Sequence, residues 1–315
     1  MDEREQLLED LRPQAFAIAY RMLGSVSEAE DVVQEGLLRL HRALEDGEEI
    51  ESPRAYLSTV VTRLGIDELR SARARRETYV GDWLPEPLLT GGPESLVSAG
   101  EQDPQQHAEM ADSLSTAFLM VLESLTPEQR AAFLLREVFD YPYERVAEIV
   151  GTSEVNARQL TSRARGQVAA GRGKFDASRE QSEELATRFI AAVEDGDVEG
   201  LEALLAEDVV LQGDGGGKVP ALAQALHGAR RVARTFGNWM KVARRGGITW
   251  ERADVNGQPG ALARDAEGRV LSVLSLGVAD GQIQSISSVV NPDKLRHLGE
   301  PADLQALLQR VRQNR

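Results

Sequence analysis

Apolar residues recur every three to four positions at Leu7, Leu8, Leu11, Ala15, Ala19, Met22 and Leu23, which predicts a helix that Gly24 stops. Ser27 is placed to cap a second helix. On a wheel of about 100° per residue, Ala29, Val33, Gly36, Leu37, Leu40 and Leu44 share one side, and Asp31, Gln34, Glu35, Leu38 and Arg42 the other. Leu38 is the odd member of the outer face. That face reads either as solvated with a stray leucine or as an apolar anchor rimmed by carboxylates, suited to a basic partner helix. A third helix is expected from Ser52 as N-cap and Pro53 in the first turn, with Tyr56, Leu57, Val60, Val61 and Leu64 as its buried stripe. Asp67 falls on the apolar side of that helix, within reach of Arg63 or Arg70.

Further along, PYERVAEIVG supplies a short helix, Gly151-Thr152 a turn, and Ser153 the cap of a second helix, SEVNARQLTSRARGQVAA. This is a helix–turn–helix pattern. Ala157, Leu160, Ala164 and Val168 face inward, which leaves Val155, Arg158, Gln159, Ser162 and Arg165 outside. Those are side-chain types that meet base edges and phosphates in a major groove, although the same geometry also occurs as plain structure. The first 173 residues thus read as helices only. Residues 180–315 read as α+β: helices near 182–205, a strand at DVVLQ, a glycine-rich turn, a helix over ARRVARTFGNWMKVARR, then strands GITWERADV, GALARD, RVLSVLSLGV and QIQSISSVV. Asp265 to Gly268 and Ala279-Asp280-Gly281 supply hairpin turns. This order suits a curved sheet wrapped on helices around a cone-shaped pocket.

Composition changes this picture in three ways. The 315 residues suit two domains or three small ones, and the net charge of −15 excludes a wholly basic coat for nucleic acid. The charge is uneven, however: residues 1–80, 81–113, 114–175 and 176–315 carry nets of −6, −7, +1 and −3. The second window, rich in Pro, Gly and acid, reads as a linker. The domains expected are therefore 1–77, a linker over 78–112, 113–173 and 180–315. Within the first window, Arg63, Arg70, Arg73, Arg75 and Arg76 crowd one helix end, where they complement the helix dipole or form a phosphate-binding stripe. The absence of cysteine rules out disulfides, thiolate metal sites and a Cys nucleophile, and with no membrane-length apolar run a cytoplasmic protein without membrane attachment is expected.

Candidate chemistry in the last domain is thin. DGGGK departs from a phosphate loop, with Gln212 where a glycine and Val219 where a Ser or Thr would be needed, so a flexible contact loop is expected. His227, His297, Asp214 and Asp254 are the candidates for proton transfer, with no diagnostic spacing between them. All five tyrosines lie at or before Tyr143, so no tyrosine donor is expected in that domain. His41, His107, His227 and His297 are too scattered to suggest a metal. No catalytic residue, cofactor or metal is assigned, and the pocket has room for a small ligand.

The segments SEAEDVVQEGLLRLHRA, SPRAYLSTVVTRLGIDELRSARARRE and LTPEQRAAFLLREVFDYPYERVAEIVGTSEVNARQLTSRARGQV, in that order and spacing, resemble an extracytoplasmic-function RNA polymerase sigma factor. One departure is Tyr56-Leu57, where many members have Trp-Leu. YVGDWLPEP, DGGGK and NPDKL are similar to motifs of the members that carry a fused SnoaL-like C-terminal domain. The resemblance implies two all-α sigma domains followed by an α+β SnoaL-like domain. It implies that Asp31, Gln34, Glu35 and Leu38 meet core RNA polymerase. It also implies that Arg63, Arg70, Arg73, Arg75 and Arg76 engage the −10 element of promoter DNA, and that Val155, Arg158, Gln159, Ser162 and Arg165 read the −35 element. The fused domain is expected to tune this activity by packing on both sigma domains. The residues expected to make those intramolecular contacts are Trp83, Leu84, Pro85, Asp214, Gly215, Gly216, Gly217, Lys218, Asn291, Pro292, Asp293, Lys294 and Leu295. The rivals are a stand-alone helix–turn–helix regulator and a small-molecule-sensing or catalytic SnoaL-like protein with an accessory DNA-binding part.

Overall fold

The computed structural model describes residues 3–76, 78–90, 113–171 and 179–313, with side chains omitted for 72–76. Two compact units form: residues 3–76, 113–114 and 118–171 make one, and 78–90, 115–117 and 179–313 the other. No helix among the described residues is long and apolar enough to cross a membrane.

The first unit is helical. α1 (Glu3–Leu23), α2 (Val26–Glu45) and α3 (Pro53–Arg76) pack on one another. α1 runs through Pro13, which lies on the exposed side of the helix, as does Glu9 one turn before it. Gly24 ends α1 in the left-handed region, at φ 66°. That sharp turn lets α2 start at once, so its N-cap is Ser25, which accepts from Glu28 N at 3.2 Å, rather than the expected Ser27 inside the first turn. α2 meets α3 at Gly36, where an added Cβ would lie 3.0 Å from Val61 and 3.1 Å from Leu57. The rest comprises α4 (Thr116–Leu122), α5 (Pro127–Phe133, opened by a Thr126/Gln129 capping box), a π-helical turn (Leu134–Val138), α6 (Tyr143–Val150) and α7 (Glu154–Gly171). Gly151, at φ 76°, makes the turn between α6 and α7, and Ala132, Leu135, Val146, Ile149 and Ala157 form the core beneath it.

Two arginines are buried in this unit, against the usual expectation for charge. Arg21 donates to Ser113 Oγ and the Ala17 carbonyl, each at 3.0 Å, and Arg130 to the Arg21 carbonyl and Glu123. Burial lowers the pKa of both guanidiniums to about 9.

The second unit is a six-stranded mixed sheet, ordered β2-β1-β6-β5-β4-β3, with helices packed on it. Its elements are α8 (Arg179–Asp195), α9 (Val198–Leu204), β1 (Leu205–Asp214), β2 (Leu226–His227), α10 (Ala229–Gly246), β3 (Thr249–Val255), β4 (Gln258–Arg264), β5 (Val270–Ala279), β6 (Gln282–Val289), α11 (Pro292–Leu295) and α12 (Leu304–Gln313). β1 and β6 run parallel and the other pairs antiparallel. The β3–β4 and β5–β6 hairpins turn on Asn256-Gly257 and Asp280-Gly281, all four with positive φ, as two-residue hairpin turns require.

Residues 78–90, expected as the start of a linker, are a strap packed into this second unit. Leu84 and Leu88 are buried, which a tether in water would not allow. Leu89 pairs with Val255, Asn256 N donates to the Leu88 carbonyl at 2.7 Å, and His297 Nε2 meets the Pro87 carbonyl at 2.7 Å. The remainder of the expected linker, 91–112 with His107, lies outside the described residues, as does the seam at 172–178.

Candidate functional site

The outer face of α2 follows from its amphipathic repeat. Ala29, Val33, Gly36 and Leu40 are buried, which turns Asp31, Gln34 and Leu38 outward, with Glu35 half-buried beside them. Leu38 is 42% exposed, and Glu35 accepts from Arg39 at 2.7 Å. An exposed leucine with Asp31 and Glu35 on its face suits a protein surface better than a phosphate backbone.

The arginines of α3 are engaged within the first unit. Arg63 donates to the Glu148 carbonyl at 2.9 Å and the Ile149 carbonyl at 3.1 Å, which caps the negative C-terminal end of α6. Arg70 bonds Glu128 at 2.7 Å and Asp67 at 3.1 Å. Asp67 is exposed rather than on the apolar side, because α3 buries Ile66 and Leu69 on either side of it. In return, Arg145 of α6 donates to the Ala55 carbonyl and Thr59 Oγ1, and Tyr141 to Ser58 Oγ at 2.9 Å. Together these bonds clasp α3 to α5 and α6. The side chains of Arg73, Arg75 and Arg76 lie outside the described ones.

The outer face of α7 is open. Val155, Arg158, Gln159, Ser162 and Arg165 are all exposed, Val155 at 68%, while Ala157, Thr161, Ala164 and Val168 are buried beneath them. Arg158 sits 4.3 Å over the Tyr143 ring and bonds Glu154, and Arg165 bonds Glu137 at 2.8 Å. These pairs hold the guanidiniums extended across the helix surface.

The three motifs of the second unit converge on one carboxylate. Asp214 is fully buried and accepts from Tyr79 Oη at 2.5 Å, Leu84 N at 2.9 Å, Gly216 N at 3.0 Å and Lys294 Nζ at 2.7 Å. Lys294 also donates to the Leu84 carbonyl and lies 4.3 Å from the Trp83 ring centroid and 5.1 Å from that of Tyr79. Asn291 donates to Tyr79 Oη, and Lys218 pairs with Asp293. Gly215 to Gly217 carry the chain through this crowd. Gly216 and Gly217 have φ of 59° and 69°, and a Cβ on Gly217 would lie 2.9 Å from Val80. The DGGGK loop is therefore pinned rather than flexible. Trp83, Leu84, Asn291, Asp293 and Lys294 meet here, with Pro85, Pro292 and Leu295 as their chain neighbours. Burial, and then the Asp214 carboxylate, raise the Tyr79 phenol well above its ordinary range, so it stays a donor.

Sequence comparison then places this geometry. The sigma-70 region 2 family matches residues 7–75, sigma-70 region 4 residues 115–168, and the SnoaL-like domain residues 186–289. The chain is 38% identical over 297 residues to the ECF RNA polymerase sigma factor SigJ of Mycobacterium tuberculosis, covering 91% of each. The chain belongs to the ECF RNA polymerase sigma factors. This sigma factor is also 31% identical to the probable ECF sigma factor SigI of the same organism, over 88% of this chain and 90% of that one. The crystal structure of SigJ superposes with a TM-score of 0.72 at 35% identity, covering 95% of this chain and 99% of the other. α1–α3 are thus region 2, α4–α7 region 4, and the sheet unit the SnoaL-like domain, as the motifs implied.

The SnoaL-like domain of this sigma factor contains a cavity of about 270 Å³, walled by Leu222, Trp239, Ile248, Trp250, Leu274 and Leu307 among others. Ser272, Ser288 and the two indoles are the polar side chains in its described lining, and Trp250 Nε1 is buried without a partner. Neither Asp214 nor Asp254 lines it: the first is the strap's anchor, and the second bonds Arg179 at 3.0 Å. His227 is exposed on β2, and His297 holds the strap. A tyrosine does join this domain from far upstream: the strap carries Tyr79 onto Asp214 from 135 positions away, outside the described cavity lining. Its signal lay in YVGDWLPEP itself, where an aromatic opens a segment whose apolar residues have no helical period.

Proposed function

We propose that this sigma factor brings core RNA polymerase to specific promoters in the cytoplasm. The α2 face docks on the polymerase, the α3 arginines engage the −10 element, and the open face of α7 reads the −35 element. The observation that carries the reading is the division of labour on one chain. The exposed Leu38, with Asp31 and Glu35 on the same face, suits a protein surface, while α7 offers Arg158, Gln159 and Arg165 in the manner of major-groove contacts. Co-purification with core polymerase tests it. Asp31→Lys/Glu35→Lys is expected to lose the polymerase while the chain stays folded; a variant that binds as well as the wild type would return the rival readings.

The clasp supports a further part of the proposal. With two of its five N–H donors on α6 carbonyls, Arg63 is held against α6 in the isolated chain, and its full engagement with DNA requires α3 and α6 to part. The SnoaL-like domain acts as a tuning element, and its cavity is walled mainly by apolar side chains. Transcription with core polymerase, comparing the full chain with a version ending near Phe175, is expected to differ in output. Equal output would remove the tuning role.

A further inference from the structure

We propose that α10 of the SnoaL-like domain presents a phosphate-binding face through which this domain touches duplex DNA. The helix Ala229–Gly246 carries Arg230, Arg231, Arg234, Lys241, Arg244 and Arg245 and no carboxylate. At about 100° per residue all six cations fall within an arc of about 140°, opposite the buried Val232, Phe236 and Met240. The stripe from Arg230 to Arg245 is about 22 Å long at ~1.5 Å per residue, and a duplex offers on the order of ten phosphate charges over that length. All six cations are exposed. Arg244 donates to the Glu194 carbonyl; among the described residues the other five make no ion pair.

What sets this helix apart is that the cations sit together on one face. The chain's net charge is −15, and Arg63, Arg70, Arg158 and Arg165 each have a carboxylate or carbonyl partner. Five like charges left together on a rigid, well-packed helix repel one another, and a polyanion that displaces their counterions relieves that repulsion. The face also lacks what a protein partner would need. Its arc carries Asn238 and, toward the Arg244 edge, the buried Gly237 packed on Val198, but no exposed apolar anchor, and Trp239 lines the cavity. The α2 face, with Leu38 at its centre, is the contrasting case. Four of the five unpaired cations are arginines, whose forks bind phosphate oxygens in pairs.

The test is a salt titration of the full chain on a fluorescent duplex of random sequence, between about 50 and 200 mM salt. For Arg230→Gln/Arg231→Gln/Arg234→Gln, affinity is expected to fall about tenfold and the slope of log K against log salt to become shallower by up to about 2.7, at ~0.9 per phosphate contact. The matching Arg→Lys variant is expected to keep the wild-type slope, which separates charge from folding. An unchanged slope in the Gln variant, or no measurable binding by the wild type, overturns the proposal. A photo-crosslinker at Asn238 identifies the occupant in the polymerase complex. Crosslinks to DNA support the proposal; crosslinks only to a polymerase subunit, or only to the chain's own acidic stretch 81–113, overturn it.

Discussion

The clasp of the first unit and the strap of the second both tie together parts far apart in sequence, by opposite physical means. The clasp uses partly exposed groups: Arg63 on helix-end carbonyls, Arg145 on the α3 backbone, Tyr141 on Ser58 and Arg70 on Glu128. Water competes for the exposed ends of most of these bonds, although Ser58 itself is buried, and such contacts are individually weak. The strap closes on Asp214 and Lys294, 0% and 6% exposed, where no water can replace a lost partner. The difference teaches which joint is built to open. On the proposed function, the α3 face that must reach DNA is held by bonds that partner binding can replace, while the strap is fastened to its own domain by a buried charge pair.

Breaking the strap is expected to give the largest effect. Lys294→Met leaves Asp214 buried without its cation, a loss of about 3–5 kcal/mol for a broken buried pair. Trp83, Trp239 and Trp250, all three tryptophans of the chain, lie in the second unit. Urea unfolding followed by tryptophan fluorescence therefore reports this unit selectively. A midpoint shift small enough to match an exposed pair would erase the contrast with the clasp. Gly217→Ala comes next. Its left-handed φ of 69° and the approach of Val80 make about 1–3 kcal/mol of strain the expected loss in the same measurement.

Loosening the clasp from the α6 side is expected to matter less for stability. Arg145→Ala/Tyr141→Phe removes three bonds to α3 while leaving its arginines untouched. Each neutral or water-exposed bond contributes about 1 kcal/mol or less. Amide hydrogen exchange should rise in α6 with the buried core of α1 and α2 unchanged. Exchange rising equally throughout would mean that the clasp is part of the core and not a separable joint.

Much of this was legible in the sequence because it is periodic. The α2 and α7 faces follow from 3.6-residue repeats, and the β3–β6 meander from strand-length apolar runs with turns at Asp265 to Gly268 and Asp280-Gly281. What escaped has no period. β2 is only two residues long, and its pairing with β1 is set by the fold around it. Arg21 and Arg130 look like surface charges until the carbonyl and carboxylate that satisfy them are brought together from elsewhere in the chain. The partners of Arg63 lie 85 and 86 positions away, so spacing could separate its face from the apolar stripe but could not say what covers it. The three motifs around Asp214 could be recognised singly; that they meet on one carboxylate depends on β1 and β6 lying parallel, with Asp214 opposite Val289.

The smallest expected effect concerns how the clasp responds to pH. Burial pushes the Glu128 carboxyl up, but its hydrogen bond from Arg70 and the guanidinium charge outweigh that and leave it below the ordinary carboxylate range. The folded chain then holds fewer protons at this site than the unfolded chain, so stability rises with pH across the interval between the two values. The contribution of the pair is complete above the ordinary carboxylate pKa and disappears as pH falls through the lowered one. Wild type and Glu128→Gln should therefore differ in stability of the helical unit at neutral pH and converge in acid, as read by far-ultraviolet circular dichroism during thermal unfolding. A difference that persists unchanged into acid would mean that Glu128 acts by packing rather than charge, and would move this end of the clasp toward the buried kind of joint found at Asp214.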